Sequence, residues 1–187
     1  MPLRFFLSPL VVLLWSCASL QAQHSDSLLT QARLLFYASV EQEKQIAPAI
    51  ALFEEIGARD EKLRGRAQTY IGALQALRAK HVLWPQDKWR FANEGLKLMD
   101  KGLKRAPQDI EALFVHGTTC FYLPIFFGRS DDAQRDLREI ARLLPEQHHN
   151  YDSALVLNVI AFILQNIRLN KLEKGSLVAL QEKLTSN

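Results

Sequence analysis

The chain has 187 residues, of which 48% are hydrophobic and 23% are charged. This balance predicts one globular domain and excludes a disordered chain, which would lack the apolar side chains that a core needs. The formal net charge of +3, from 23 basic and 20 acidic residues, is too balanced to predict nucleic-acid binding, which calls for a concentrated basic face.

Residues 1–22 are typical of a secretory signal peptide. A short basic start precedes an apolar run from Phe5 to Trp15, and small and polar residues follow it. The apolar run is about half of the roughly 20 residues that a membrane-spanning helix needs. We therefore expect cleavage after Ala22 and a mature chain over residues 23–187, with no transmembrane helix and a single helical domain.

Cys17 leaves a second cellular location open. The segment from Leu14 to Cys17 loosely resembles the lipidation motif of bacterial lipoproteins, although Trp15 stands where that motif takes a smaller residue. We expect a periplasmic or secreted protein, and the alternative is a lipoprotein anchored to a bacterial membrane through Cys17. Cleavage after Ala18 or Ser19 is a further alternative.

Hydrophobic periodicity predicts eight helices and no strand. Local signals set their ends: we expect Gly57 to cap the second helix, Asp87 to begin the fourth and Pro145 to follow the sixth. Asn170 and Glu173 have the spacing of a capping box for the last helix. The predicted helices run over residues 25–39, 46–56, 60–81, 88–105, 110–122, 130–144, 152–168 and 170–184.

One spacing pattern recurs along the chain and predicts stacked helix pairs. It consists of a small residue, a large apolar residue, a third residue that is either small or aliphatic, and a proline. Small residues let a neighbouring helix approach closely, and a helix pair of this kind buries its apolar face by stacking on the next pair. The copies are Gly95, Met99, Gly102 and Pro107; Ala133, Leu137, Ile140 and Pro145; and a shorter one, Ala49, Phe53 and Ile56.

This spacing resembles the second helix of the tetratricopeptide repeat, over roughly residues 46–145. Gly117 lies where the following first helix of that repeat often has a glycine, and the extra length of this repeat falls at residues 123–128. The chain also resembles an uncharacterised family of secreted bacterial proteins with tetratricopeptide-like helices. The resemblance implies an all-α fold of antiparallel helix pairs, stacked as a short right-handed solenoid, and no particular activity. Four segments carry the second resemblance: 70–81, Trp84-Pro85, 93–99 and 124–130.

The corner between the third and fourth predicted helices is the first candidate site. It carries His81, Trp84 and Trp89. Two indole rings and an imidazole could line a small pocket, whereas the simpler interpretation is that the tryptophans hold the two helices together.

Leu123–Gly128 is the second candidate, because a helical repeat has little need of this apolar connection. Exposed, Phe126 and Phe127 would form a contact patch for a partner. Buried, they would close the end of a helix pair, with Pro124 and Gly128 setting the turns. We expect burial.

His116 and Cys120 lie four residues apart and share a helix face. Such a pair could supply half of a metal site, or a base beside a nucleophile. No second pair has matching spacing and no orienting acid is identifiable, so we expect neither a metal nor a catalytic site. We expect His148 and His149 to lie in a solvated linker.

The sequence therefore predicts an exported, non-enzymatic, all-α protein that binds a protein or peptide partner in the cell envelope, without a cofactor. It contains no phosphate-binding loop, nucleophile-elbow or zinc-binding helix motif. The alternative is a periplasmic small-molecule-binding or transporter-accessory protein with a pocket near His81, Trp84 and Trp89. A concave apolar pocket there would favour this alternative, and tightly interlocked indoles would count against it. An enzyme that uses His116 and Cys120 is the third hypothesis.

Overall fold

The computed structural model describes residues 27–186, which are almost entirely helical. No β-strand occurs in this range, and the all-α prediction is confirmed. The predicted signal peptide at residues 1–22 and Cys17 lie outside the described residues. The helices are α1 (27–39), α2 (Ile46–Arg59), α3 (Arg64–His81), α4 (Pro85–Arg105), α5 (Ile110–Tyr122), α6 (Ser130–Gln147), α7 (Ser153–Asn166) and α8 (Lys171–Thr185).

Three predicted helix ends are wrong. α2 continues through Gly57 to Arg59, and Asp60 then begins the next turn by accepting a hydrogen bond from the Lys62 backbone nitrogen at 2.8 Å. α4 begins at Pro85, so Asp87 lies in its first turn; proline fits there because the first helical nitrogens have no partner within the helix.

Pro145 lies inside the last turn of α6, which continues to Gln147. Near a helix end the proline removes one hydrogen bond without ending the helix. A short 3₁₀ turn over His148–Asn150 then leads towards α7.

The predicted capping box at the start of α8 is confirmed. The Glu173 backbone nitrogen donates to Asn170 Oδ1 at 2.9 Å, and the Asn170 backbone nitrogen donates to Glu173 Oε2 at 3.0 Å. The same Glu173 carboxylate accepts a hydrogen bond from Arg138 Nε of α6 at 2.8 Å, which lowers the Glu173 pKa. One side chain therefore begins α8 and also ties it to α6.

The closest approach between helices is that of α3 and α4, whose backbones touch through glycines. A Cβ atom added to Gly95 would lie 2.5 Å from the Gly72 carbonyl oxygen, and one added to Gly102 would lie 2.6 Å from the Thr69 nitrogen. No side chain larger than hydrogen fits at either position without moving a helix. The expected role of Gly95 and Gly102 in close packing is confirmed.

Two clusters of buried apolar side chains form the core. The first joins helices α1 to α6 and includes Phe53, Leu74 and Met99. The second joins α5 to α8 and includes Leu137 and Ile160. α5 and α6 contribute to both clusters, so this helix pair joins the two halves of the described chain.

A buried charge network joins α1, α3 and α5. Glu111 Oε1 accepts hydrogen bonds from Arg33 Nε at 2.7 Å and from the Tyr70 hydroxyl at 2.5 Å, and Arg66 Nη1 lies 3.1 Å from Glu111 Oε2. Arg66 also pairs with Asp109 at 2.7 Å. Burial opposes the negative charge of Glu111, but the hydrogen bonds from Arg33 and the charge of Arg66 outweigh it and lower the Glu111 pKa.

A candidate apolar binding cavity

A cavity of about 840 Å³ lies between the C-terminal halves of α1, α3 and α5. The start of α4 and the connection that follows α5 complete its wall. This volume is within the range of sites that hold small molecules in proteins, which are concave and mostly apolar. A second depression, of about 440 Å³, lies between α2, α3 and α4 and is smaller.

Small residues on α3 make the room in this cavity. Ala73, Ala76 and Ala79 follow one another at intervals of three and all line it. Residues three apart share a face of a helix, so these alanines leave a shallow strip between bulkier neighbours. Phe36 and Tyr37 of α1 contribute aromatic side chains to the lining.

Three aromatic rings from two distant segments form another wall. The Trp89 ring stacks on Phe127 with centroids 4.8 Å apart and on Phe126 with centroids 6.0 Å apart. Offset stacking of this kind is favourable beyond the apolar area that it buries. The structure therefore brings one residue of the first candidate corner together with both phenylalanines of the second, and all three line the cavity.

His81 and Trp84 are not among the residues that line the cavity, although each is next in the chain to one that is. The His81 Nε2 atom is 3.1 Å from the Ser39 carbonyl oxygen, which holds the end of α3 against the end of α1. Trp84 immediately precedes α4, and its side chain is 66% exposed. Trp89 stacks on Phe126 and Phe127 and not on Trp84. The interlocked indoles that would count against a pocket are therefore not seen at this corner.

The expected burial of the connection 123–128 is wrong for its central residues. Ile125 is 85% exposed and Phe126 is 68% exposed, while Leu123 and Phe127 are half-buried against the first core cluster. Residues Ile125–Phe127 form a single 3₁₀ turn, and one turn cannot direct three consecutive side chains to the same side.

The ends of this connection are as expected. Pro124 precedes the turn, and Gly128 ends it with a φ of 66°, a backbone conformation that favours glycine.

Large apolar side chains are exposed in two segments of the chain that adjoin or include residues of the cavity wall. Leu83 and Trp84 lie at the corner between α3 and α4. Tyr122 is the last residue of α5, and Ile125 and Phe126 follow it in the connection. Each of these five side chains is more than half exposed. Clustered exposure of this kind marks surfaces that contact another molecule.

The charged residues that line the cavity are both lysines. Lys80, in the last turn of α3, donates hydrogen bonds to the Val40 carbonyl oxygen at 2.7 Å and to Glu41 Oε1 at 2.8 Å. Lys88, in α4, donates its backbone N–H to the Trp84 carbonyl oxygen at 3.1 Å, but its ammonium group has neither a hydrogen bond nor an ion pair with any other residue that the structure describes. The cavity therefore has a positive edge at the corner between α3 and α4.

His116 belongs to a second buried charge network. It contacts the Asp136 carboxylate through Nδ1 and lies 2.9 Å from Asp100 Oδ1 through Nε2. Arg129 pairs with the same Asp100, which joins α4, α5 and α6. Burial opposes a charge on His116, but the hydrogen bonds to Asp136, Cys120 and Asp100 raise its pKa to about 10.

This network does not favour the hypothesis of an enzyme that uses His116 and Cys120. At neutral pH His116 is an imidazolium, so it has no free lone pair with which to accept the thiol proton. Cys120 is itself buried, with Sγ 3.9 Å from His116 Nδ1. Sequence reasoning missed Asp100 and Asp136 because they lie on two other helices.

Residues 27–186 show no sign of a metal site. These residues include no group of three or more His, Cys, Asp or Glu side chains placed to hold a metal ion. None of the helices described is both long and apolar enough to cross a membrane.

Comparison with protein-family models, curated proteins and solved structures gave no match. The resemblance to tetratricopeptide-repeat proteins therefore stays a prediction.

Proposed function

We propose that this protein binds a small, predominantly apolar molecule in the cavity between α1, α3 and α5. The cavity itself carries the proposal: about 840 Å³ lined mainly by alanine, aliphatic and aromatic side chains. A site of this size and composition has the features of known small-molecule sites. This is the small-molecule alternative from the sequence, with Trp89 retained and Phe126 and Phe127 added to its wall.

We propose further that the helices stack as antiparallel pairs in a short right-handed solenoid. The order of the contacts between α3 and α4 supports this arrangement, since Gly65 approaches Gly102 while Gly72 approaches Gly95. Gly117 of α5 likewise lies close to Leu137 of α6, as expected if α5 and α6 form a further pair. In this arrangement α1, α3 and α5 are the first helices of three successive pairs, and the cavity lies on the face that they share.

The location that we propose is the cell envelope. It rests on the signal-peptide pattern of residues 1–22, with a lipid anchor at Cys17 as the alternative. Binding without catalysis fits the absence of a recognisable catalytic motif in the sequence.

Decanol binding tests the proposed function. We expect isothermal titration calorimetry to show saturable binding of decanol to the purified protein, because its apolar chain fits the lining of the cavity. In the variant Thr119→Trp, an indole would fill part of the cavity and binding should be lost. Thr119 lines the cavity and is half-buried, and its hydroxyl bonds only to the Val115 carbonyl oxygen of its own helix, at 2.7 Å.

The matched control is Thr185→Trp. Thr185 also bonds to a carbonyl oxygen of its own helix, that of Gln181 at 3.0 Å, but it is exposed near the end of α8. This variant should bind decanol as the wild type does, and circular dichroism should show that both variants keep their helix content. Absence of decanol binding to the wild type, or undiminished binding to Thr119→Trp, would contradict the proposal.

A protein or peptide scaffold is the second candidate function. The exposed side chains of Leu83, Trp84, Ile125 and Phe126 favour it, because together they could form an apolar contact patch. Cross-linking in the native cell envelope distinguishes the two functions. Cross-links from residues 122–128 to one recurrent protein would support the scaffold, and recovery of no partner above background would remove it.

A further inference from the structure

We infer that the ligand of this cavity is a single-chain amphiphile with a carboxylate head group. The head group pairs with Lys88 at the corner between α3 and α4, and the chain lies between the α3 alanines and the aromatic wall of Trp89 and Phe127. This inference rests on the proposed function and names the chemical class of its ligand.

The interior of the cavity calls for an apolar chain. Its two threonine hydroxyls are already satisfied within α5, since Thr118 donates to the Phe114 carbonyl oxygen at 2.6 Å and Thr119 donates to that of Val115. A polar ligand group placed beside these threonines would lose its hydrogen bonds to water and find no free hydroxyl donor on them. An alkyl chain loses nothing and buries apolar area against the walls.

The charges of the cavity select the head group. Both charged residues in its lining are lysines, and Lys80 is already neutralised by Glu41 at 2.8 Å. Lys88 has no such partner among the described residues, so a carboxylate beside it would gain an ion pair. A cationic head group would meet two ammonium groups, and a neutral one would gain no ion pair.

The test compares three ligands that share one alkyl chain. We expect isothermal titration calorimetry to show that decanoate binds more tightly than decanol and that decyltrimethylammonium binds most weakly. In Lys88→Gln, decanoate should bind about three-fold more weakly, as expected for one partly exposed ion pair, while decanol binding stays unchanged. The charge reversal Lys88→Glu should increase the loss to about ten-fold, because attraction becomes repulsion.

Lys97→Gln is the matched control. Lys97 lies on the same helix and is exposed, but it does not line the cavity, so its removal should leave all three affinities unchanged. Equal binding of decanoate and decanol, or an unchanged decanoate affinity in Lys88→Gln, would overturn the inference and leave the proposed function standing. Failure of all three ligands to bind would overturn the proposed function itself.

Vesicles distinguish a free amphiphile from a membrane surface. We expect decanoate to bind in the absence of vesicles and the protein not to sediment with phosphatidylglycerol vesicles. Sedimentation that decanoate does not prevent would mean that the apolar surroundings of the cavity contact a lipid surface, and it would overturn the inference of a free ligand.

Discussion

His116 illustrates how the surroundings of one residue determine its charge. Its imidazole is buried, which alone would favour the neutral form. The carboxylates of Asp136 and Asp100 contact its two ring nitrogens and reverse that preference, so its pKa rises to about 10. The protonated ring then joins α4, α5 and α6 through charge-assisted hydrogen bonds.

The stability of the protein should depend on pH through this residue. Below about pH 6.5 His116 is protonated in both the folded and the unfolded chain, so its full contribution is present. Between about pH 6.5 and the folded pKa of about 10, the unfolded chain loses the proton while the folded one keeps it. The free energy of unfolding should therefore fall by about 1.4 kcal/mol per pH unit from this source.

Urea unfolding over this pH range measures the effect, with His116→Gln as the reference. The variant should lack this part of the slope, because other titrating groups are common to both proteins. An NMR titration of His116 measures the pKa independently. Identical slopes for wild type and variant would show that His116 is not held in its charged form.

At the scale of the helices, the contact between α3 and α4 is the most demanding feature. Gly72 and Gly95 bring the two backbones within van der Waals contact, so neither helix can shift without moving the other. Met99 is fully buried beside this contact. The small-residue pattern in the sequence indicated one side of the contact, on α4, but not its partners on α3.

Gly95→Ala should destabilise the protein by about 1–3 kcal/mol. The added Cβ would lie 2.5 Å from the Gly72 carbonyl oxygen, so α3 and α4 must move apart. The control is Gly175→Ala in α8, where a Cβ meets nothing within 4 Å and should stabilise the helix by about 0.5–1 kcal/mol. Urea unfolding measures both, and an unchanged stability of Gly95→Ala would show that the two helices do not pack this closely.

At the scale of the whole molecule, Glu111 joins three helices that are distant in sequence. Its carboxylate binds Arg33 of α1, and Arg66 and Tyr70 of α3, and these three helices also line the cavity. Phe53 stacks on Tyr70 at 4.3 Å, so the network also rests on the first core cluster. The charge network therefore holds together three of the helices that form the walls of the cavity.

Glu111→Ala should cost about 3–5 kcal/mol of stability, because it leaves two arginines without their shared buried carboxylate. Glu182→Ala removes an exposed carboxylate from α8 and should change stability by less than about 0.5 kcal/mol. Thermal and urea unfolding measure both variants. A cost for Glu111→Ala similar to that of the control would show that the network contributes little.

The sequence by itself determined the helices and much of their packing faces. Apolar periodicity and caps are local signals, so the eight helices and the capping box of Asn170 and Glu173 could be predicted. The errors at Gly57 and Pro145 have one cause. Both residues commonly end helices, but neither forces an end: Gly57 keeps a negative φ, and a proline near the end of a helix removes only one hydrogen bond.

Only the tertiary structure decided what the candidate site is. Trp89, Phe126 and Phe127 could be selected from the sequence as unusual residues. The sequence could not show that the Trp89 ring stacks on the other two. The alanines of α3 and the partners of Glu111 left no signal in the sequence either. Periodicity shows which side of a helix is buried but not which helix covers it. A cavity built from several distant segments of the chain is therefore visible only when those segments are assembled.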